Sequence, residues 1–293
     1  MRLILAMIIF SVMNAQGRFD QVEIKIHPVN ESVYYLEGAG GNIGLSVGDD
    51  GVFMIDDQFA PLTEKIEAAI KTLSDKPIRF LINTHMHGDH TGGNENFANK
   101  GVTIIAHDLV RRRLSKNEFE EMKNNPSAMK KMPGLPVITF NESINFYLNS
   151  DELEVFHVAN AHTDGDAIIY FKKANAFHMG DTFFQNRYPF VDLSSDGSVY
   201  GIIHAAEEVI KRANDQSKII PGHGSVSSRV DLINYRKMLI DLSEKITKLK
   251  KQGLSLEQVI EKQPTKDYDS QYDNDSDLTK KESFIKYVYN DKN

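Results

Sequence analysis

Four residues able to ligate a metal fall within six positions of the stretch Asn83-Thr84-His85-Met86-His87-Gly88-Asp89-His90-Thr91-Gly92-Gly93-Asn94. Neutral imidazoles and a carboxylate suit zinc and similar borderline ions, and burying such a cluster without a cation to organise it is costly. The apolar run Phe80-Leu81-Ile82 just before it reads as a buried strand, so the cluster is expected where a strand ends and a glycine-bracketed loop begins. Further ligand-like residues recur downstream. They are His162 in Ala161-His162-Thr163-Asp164-Gly165-Asp166, Asp181 in His178-Met179-Gly180-Asp181-Thr182, and His223 in Pro221-Gly222-His223-Gly224. A merely His-rich surface loop does not account for that recurrence.

The H-x-H-x-D-H pattern and the three later motifs, in this order, resemble the metallo-β-lactamase superfamily from about Val33 to about Gly224. The resemblance implies an α/β fold, a four-layer αββα sandwich of two mixed β-sheets with helices outside. It also implies a ligand set: His85, His87 and His162 for a first metal, Asp89, His90 and His223 for a second, and Asp181 bridging both. Seven N/O ligands exceed what one tetrahedral ion can use and suit two zinc ions per chain. The implied reaction is hydrolysis, in which hydroxide activated by the metal pair attacks the carbonyl of a lactam, lactone, ester or thioester. Asp89 has a second implied task, passing a proton to the leaving group. Asp56 is a candidate for orienting a ligand imidazole, or else a turn carboxylate. Asn186, Tyr188 and Phe190 are candidates for the substrate cleft, or else loop packing.

Departures from particular branches narrow the resemblance. The chain has no cysteine, which excludes the lactamase branch with a cysteine ligand. The pairing of His90 with an acidic bridge at Asp181 resembles thioester hydrolases of the glyoxalase II type and lactonases. The run from Asp181 to Asp192 resembles exported metallo-hydrolases, and lactam hydrolysis stays open. A flavodiiron-like redox protein is the weaker alternative, because His87 stands where that group has glutamate. A non-enzymatic zinc carrier is weaker too, since a structural site expects no bridging acid.

Length and composition agree with an enzyme acting on a small molecule. The 293 residues, 41% of them hydrophobic, can form one large core. A formal charge of −7 opposes nucleic-acid binding. Residues 1–17 read as an export signal, with Arg2, the apolar run Leu3 to Val12 and a small-residue site at Ala15-Gln16-Gly17. The run is too short to span a bilayer, so the expected product is a periplasmic or secreted protein without membrane insertion; a buried first strand is the other reading. Three parts follow: the signal at 1–17, a hydrolase domain at 18–250, and a helical extension at 251–293 packed on that domain.

The elements that must position the ligands are short. Val22 to Ile26, Val33 to Leu36, Ile43 to Val47 and Val52 to Ile55 read as an antiparallel meander punctuated by Gly, Asn and Asp. A helix carrying Leu62, Ile66, Ile70 and Leu73 follows, then the strand before the His cluster, then Val102 to Ala106 and a helix over 107–114. Residues 115–139, with three prolines and three methionines, read as a lid or a plain connector. A second strand series at Ile144 to Leu148, Leu153 to Val158, Ala167 to Phe171 and Ala176 to His178 leads through a helix over 200–212 and the strand Lys218 to Ile220 to His223. Leu232, Tyr235, Leu239, Leu242, Ile246 and Leu249 mark one face of a long helix. Ser255 with Gln258 and Thr279 with Glu282 read as capping boxes. The acidic residues between them, Asp267 to Asp277, read as a solvated linker.

Overall fold

Short runs rich in β-branched and aromatic residues, separated by turn formers, build two sheets. The structure, a computed structural model, describes residues 17, 19–115, 132–273 and 276–292. The proposed export signal apart from Gly17, and most of the 115–139 segment, therefore lie outside the described residues. The first sheet holds β1 (Lys25–Pro28), β2 (Val33–Glu37), β3 (Ile43–Gly48), β4 (Gly51–Ile55), β5 (Ile78–Asn83), β6 (Thr103–His107) and β7 (Ile138–Phe140), in chain order. β1 to β4 pair antiparallel. From β4 onward the pairing is parallel, as it must be once connections cross over through α1 (Thr63–Leu73), α2 (Gly88–Thr91) and α3 (Asn94–Asn99). A fourth helix, α4 (Asp108–Leu114), follows β6.

The second sheet runs in the order β13-β12-β11-β10-β9-β8. Its strands are β8 (Ser143–Leu148), β9 (Asp151–His157), β10 (Ala167–Phe171), β11 (Ala176–His178), β12 (Lys218–Ile220) and β13 (Ser227–Ser228). β11 and β12 are parallel because α5 (Val199–Arg212) crosses between them.

Side-chain alternation assigns each strand residue to a layer. Phe53, Ile55, Ile82 and Ile105 of the first sheet meet Leu153, Val155, Ile169, Phe171 and Ile220 of the second. Their neighbours Met54, Leu81 and Ile104 point the other way, onto Leu62, Ile66 and Ile70 around α1. Ile168, Phe177 and Ile219 point onto α5 and α6 (Arg229–Lys251). Each sheet is thus covered on both faces, and β4 is buried at every residue. At about 1.5–3 kcal/mol for each large side chain fully buried, these layers dominate the stability.

The carboxy-terminal extension packs on the second sheet's helical layer. Val259 of α7 (Leu256–Glu261), Tyr272 of α8 (Asp269–Tyr272), and Phe284, Ile285 and Val288 of α9 (Lys281–Asn290) join the cluster that contains Leu232, Tyr235 and Leu239. The capping box expected at Ser255 and Gln258 opens α7, and another at Ser228 and Asp231 opens α6. The box expected at Thr279 does not form: α9 has Lys280 at its cap, and Thr279 is buried. Nor is the acidic run only a solvated linker. Asp269 lies in α8 and, with Asp273, pairs with Lys281 at 3.5 and 3.4 Å, because burial of Tyr272 and Phe284 draws this stretch onto the domain. Two further expectations shift: the first strand begins at Lys25 rather than Val22, and β7 falls within the stretch read as irregular.

Asn42, just before β3, joins the sheets at the end that carries the ligands. Its backbone N–H donates to Gly222 O at 2.7 Å, and its side-chain amide donates to Pro221 O at 2.9 Å and Gly224 O at 2.7 Å. Replacing Asn42 by Ala leaves buried carbonyls without donors. It is expected to lower unfolding free energy by about 1–3 kcal/mol, read as a lower denaturant midpoint at unchanged slope; an unchanged midpoint would show that the clasp contributes nothing.

Candidate metal centre

β5 ends at Asn83, and the chain then delivers Thr84 and His85, caps α2 with His87, and places Asp89 and His90 inside that short helix. Asp56, immediately after the parallel neighbour β4, adopts a left-handed backbone with φ 60°, sparsely populated for a residue with a side chain. Its Oδ1 accepts from Thr84 N at 2.7 Å, and its Oδ2 accepts from Thr84 Oγ1 at 2.8 Å and from His90 Nδ1 at 2.7 Å. Thr84 Oγ1, having donated to Asp56, accepts from His85 Nδ1 at 3.0 Å. One buried carboxylate therefore sets two imidazoles.

The other histidines are oriented in the same manner. His162 Nδ1 donates to Phe190 O at 2.9 Å, and His87 Nε2 to Asp192 Oδ2 at 3.1 Å. These contacts fix the tautomers: the proton sits on Nδ1 of His85, His90 and His162 and on Nε2 of His87, leaving the opposite nitrogen with a bare lone pair. The ligand nitrogens of His85, His87 and His162 lie within 4.8 Å of one another, and that of His90 groups with His85 and Asp181. His162 Nε2 lies 2.8 Å from His87 Nδ1, two lone pairs in repulsion unless a cation lies between the ligands. His85 Nε2, His90 Nε2 and Asp181 Oδ1 are buried with no hydrogen-bond partner.

Asp181, in the turn after β11, stands where the groups meet. Its Oδ2 is 3.7 Å from His162 Nε2, and its Oδ1 is 3.2 Å from His90 Nε2 and 3.5 Å from His223 Nε2. Asp89 Oδ2 lies 3.3 Å from His223 Nε2 and 3.6 Å from His90 Nε2. Ligand atoms of three sets lie within 4.8 Å of one another: His85, His87 and His162; His85, His90 and Asp181; and Asp89, His90 and His223. The structure thus brings all seven sequence candidates together, in overlapping groups that a pair of cations sharing Asp181 would fit.

Electrostatics agree with that fit. Burial holds the imidazole of His85 well below the usual range, helped by the charges of His90 and His162, and pushes His162 down to about 4. Both are neutral and ready to ligate. Burial would do the same to His90 and His223, but carboxylates outweigh it. Asp181, Asp56 and Asp89 raise His90, and Asp181 and Asp89 raise His223 to about 9. Burial would raise Asp181, yet His223 and His90 hold it well below the usual carboxylate range. A divalent cation satisfies the same negative field while leaving the imidazoles neutral.

Two glycines make room for this packing. A Cβ on Gly41 would lie 2.0 Å from the His90 ring, and one on Gly222 would lie 2.0 Å from Asp181 Oδ1. His87, Asp89, Asp181 and His223 open onto a cavity of about 230 Å³ whose wall includes Phe184, Arg187, Phe190, Ser276, Leu278 and Thr279. A larger hollow of about 330 Å³ beside Asn94 and Leu135 has no comparable ligand set among the described residues.

Of the cleft candidates, Phe190 lines the cavity and stacks on His87 at 5.6 Å between ring centres. Tyr188 does not reach it. Its ring is buried against Phe284, 5.1 Å between centres, and its hydroxyl donates to Asp269 Oδ1 at 3.0 Å. Asn186, at φ 52°, turns outward to Gln271. Sequence reasoning missed the holding roles of Thr84 and Asp192 and the place of Arg187; the run from Asp181 to Asp192 contained two of the three. Of the remaining histidines, His178 is bound to Asn42 O, His107 and His157 stack 3.8 Å apart, His27 pairs with Glu37, and His204 is exposed.

Comparisons with known proteins agree with this geometry. The profile of the metallo-beta-lactamase superfamily matches residues 36–224. The chain is 30% identical over 211 residues to a Methanocaldococcus jannaschii protein named "Probable metallo-hydrolase", covering 70% of this chain and 93% of that one. It is 20% identical over 225 residues to metallo-beta-lactamase type 2 of Bacillus cereus, covering 74% and 82%. A match of 26% identity to 2,4-dinitroanisole O-demethylase subunit alpha of Nocardioides sp. takes 47% of this chain but spans only 39% of that protein. The solved metallo-beta-lactamase from Pontibacter korlensis superposes with a TM-score of 0.61 at 18% identity, over 75% of this chain and 100% of that one. That last likeness is one of fold. With ligand geometry, sheet order and profile in agreement, the chain belongs to the metallo-beta-lactamase superfamily and is a metal-dependent hydrolase.

Proposed function

We propose that the chain is a zinc hydrolase that holds two ions and cleaves a small carbonyl compound: a lactam, lactone, ester or thioester. One observation carries the reading. Four bare imidazole nitrogens and the unpartnered Asp181 Oδ1 converge where Asp181 lies within reach of both histidine groups. His85, His87 and His162 would hold one ion, Asp89, His90 and His223 the other, and Asp181 both. Paired divalent cations there supply hydroxide at neutral pH and Lewis-acid polarisation of a carbonyl oxygen.

The chain's own groups do the rest. Asp56, Asp192 and the Phe190 carbonyl keep the imidazoles in the ligating tautomer and orientation. The Phe190 ring packs at 5.6 and 5.2 Å from His87 and His162 and shields them from bulk water. Asp89 is partly exposed at the cavity wall, where its carboxylate can carry a proton to the departing nitrogen, oxygen or sulfur. The Bacillus cereus relative is named as a metallo-beta-lactamase, which makes a lactam one of the substrates to test beside a lactone and a thioester.

Three outcomes follow from this reading. Zinc bound only to the folded state should stabilise it by about 2.7 kcal/mol when free zinc stands at about 100 times its dissociation constant. Exhaustive chelation should therefore lower the melting temperature and remove turnover, both restored by zinc; a melting temperature indifferent to chelation would count against a buried centre. Asp89→Ala should lower turnover by at least about 100-fold and reduce bound zinc, measured by mass spectrometry, from two to one. Near-full rate in that variant would remove Asp89 from its assigned role. Asp56→Ala should weaken zinc binding by about 10–100-fold in a competition titration, and unaltered affinity would show that Asp56 merely fills space.

A further inference from the structure

His85, His90, His162 and His178 are all fully buried, yet His178 belongs to none of the ligand groups. Burial strips water from an imidazole, so both of its nitrogens need protein partners, and both have one. Nε2 donates to Asn42 O at 3.0 Å, and Nδ1 accepts from Gly180 N at 3.3 Å. Gly180 O in turn accepts from Gly222 N at 2.8 Å, and Gly222 O accepts from Asn42 N at 2.7 Å. Four hydrogen bonds thus close a circuit through three chain segments, and His178 supplies its one side chain. The directions of donation fix a neutral imidazole with its proton on Nε2. Burial, which holds the group below its usual range, agrees.

The segments so joined are those that deliver ligands. Gly180 precedes Asp181, Gly222 precedes His223, and Asn42 follows Gly41, against which the His90 imidazole packs. Asp181 Oδ1 and His223 Nε2 stand 3.5 Å apart. β3 makes room for the imidazole behind them, since a Cβ on Gly44 would lie 2.7 Å from His178 Cδ2. In a low-dielectric interior the bonds of such a circuit polarise one another, and opening it strands buried polar groups.

We propose that His178 is a positioning residue of the metal centre: its imidazole closes the circuit that sets the Asp181 turn against the His223 turn, and so governs how tightly the cation between them is held. The proposal rests on the two-cation reading and adds to it a residue that touches neither cation nor substrate. Without the imidazole, the Gly180 peptide loses the partner of its N–H, and the two ligand turns lose their fixed spacing.

Zinc titration against a chromophoric chelator tests this. His178→Leu removes both hydrogen bonds and keeps an apolar side chain in the core. One of the two zinc ions should then bind at least about 10-fold more weakly, with the affinity of the other held. His178→Asn places an acceptor within reach of the N–H two residues ahead without reaching Asn42 O, and should recover most of the loss. Cobalt at saturation should show altered d–d absorption in His178→Leu, although residue 178 is no ligand. Melting of the metal-free proteins reports packing separately. Both variants are expected to melt lower, so a role in packing alone predicts no recovery of zinc affinity by asparagine. Should the leucine variant fail to fold, Gly44→Ala crowds the imidazole without removing either nitrogen, and it should weaken the same ion. Unmoved affinities in His178→Leu, equal weakening of both ions, no recovery in His178→Asn, or native zinc binding by Gly44→Ala would each overturn the proposal. A native protein that binds a single zinc ion would instead sink the two-cation reading, and the proposal with it.

Discussion

Imidazoles stripped of water, with their lone pairs turned toward one another, are the constraint on which this protein is built. The 2.8 Å approach of His162 Nε2 to His87 Nδ1, both nitrogens lacking protons by virtue of their outer contacts, is repulsive in a low-dielectric interior. Such an arrangement persists only if the surrounding fold over-determines it and a cation compensates it. Asp56 shows the first half of that bargain, its left-handed backbone held by three hydrogen bonds at 2.7–2.8 Å. Asp181 shows the second half, a carboxylate kept ionised although it is buried.

The two-sheet architecture makes the convergence possible. β4 and β5 lie parallel, so Asp56 and the His85 to His90 turn leave the first sheet at the same end. β11 and β12 are likewise parallel, so Asp181 and His223 leave the second sheet together. Packing of Phe53, Ile55 and Ile82 against Ile169, Phe171 and Ile220 fixes how the two ends face each other, and Asn42 fastens them at the rim. A third element, the loop from Phe183 to Asp192, lines the cavity beside the ligands, with the carboxy-terminal extension packed behind it.

The ligand set was legible in the sequence because its residue types are rare in the interior and each follows a strand or opens a short motif. Most strands were legible for a similar reason, since both sheet faces are covered and runs such as Val52 to Ile55 are apolar throughout. What escaped depends on distant contacts. Tyr188 reads like a cleft aromatic but is buried by Phe284 and Asp269, nearly a hundred and about eighty positions away. Three-residue β7 is defined by its parallel partner β6, not by its own periodicity. The acidic run before α9 looks solvated in isolation and is drawn in by Tyr272 and Phe284. Arg187 could not be singled out from sequence, because its place at the cavity wall depends on how the loop after β11 folds against the carboxy-terminal extension.

The account stands on two cations sharing one carboxylate. Diffraction from crystals of the zinc-loaded protein, recorded on either side of the zinc absorption edge, addresses it without reference to any substrate. Two anomalous peaks are expected, one among His85, His87 and His162 and the other among Asp89, His90 and His223, with Asp181 touching both. A single peak, or none at these residues, would contradict it.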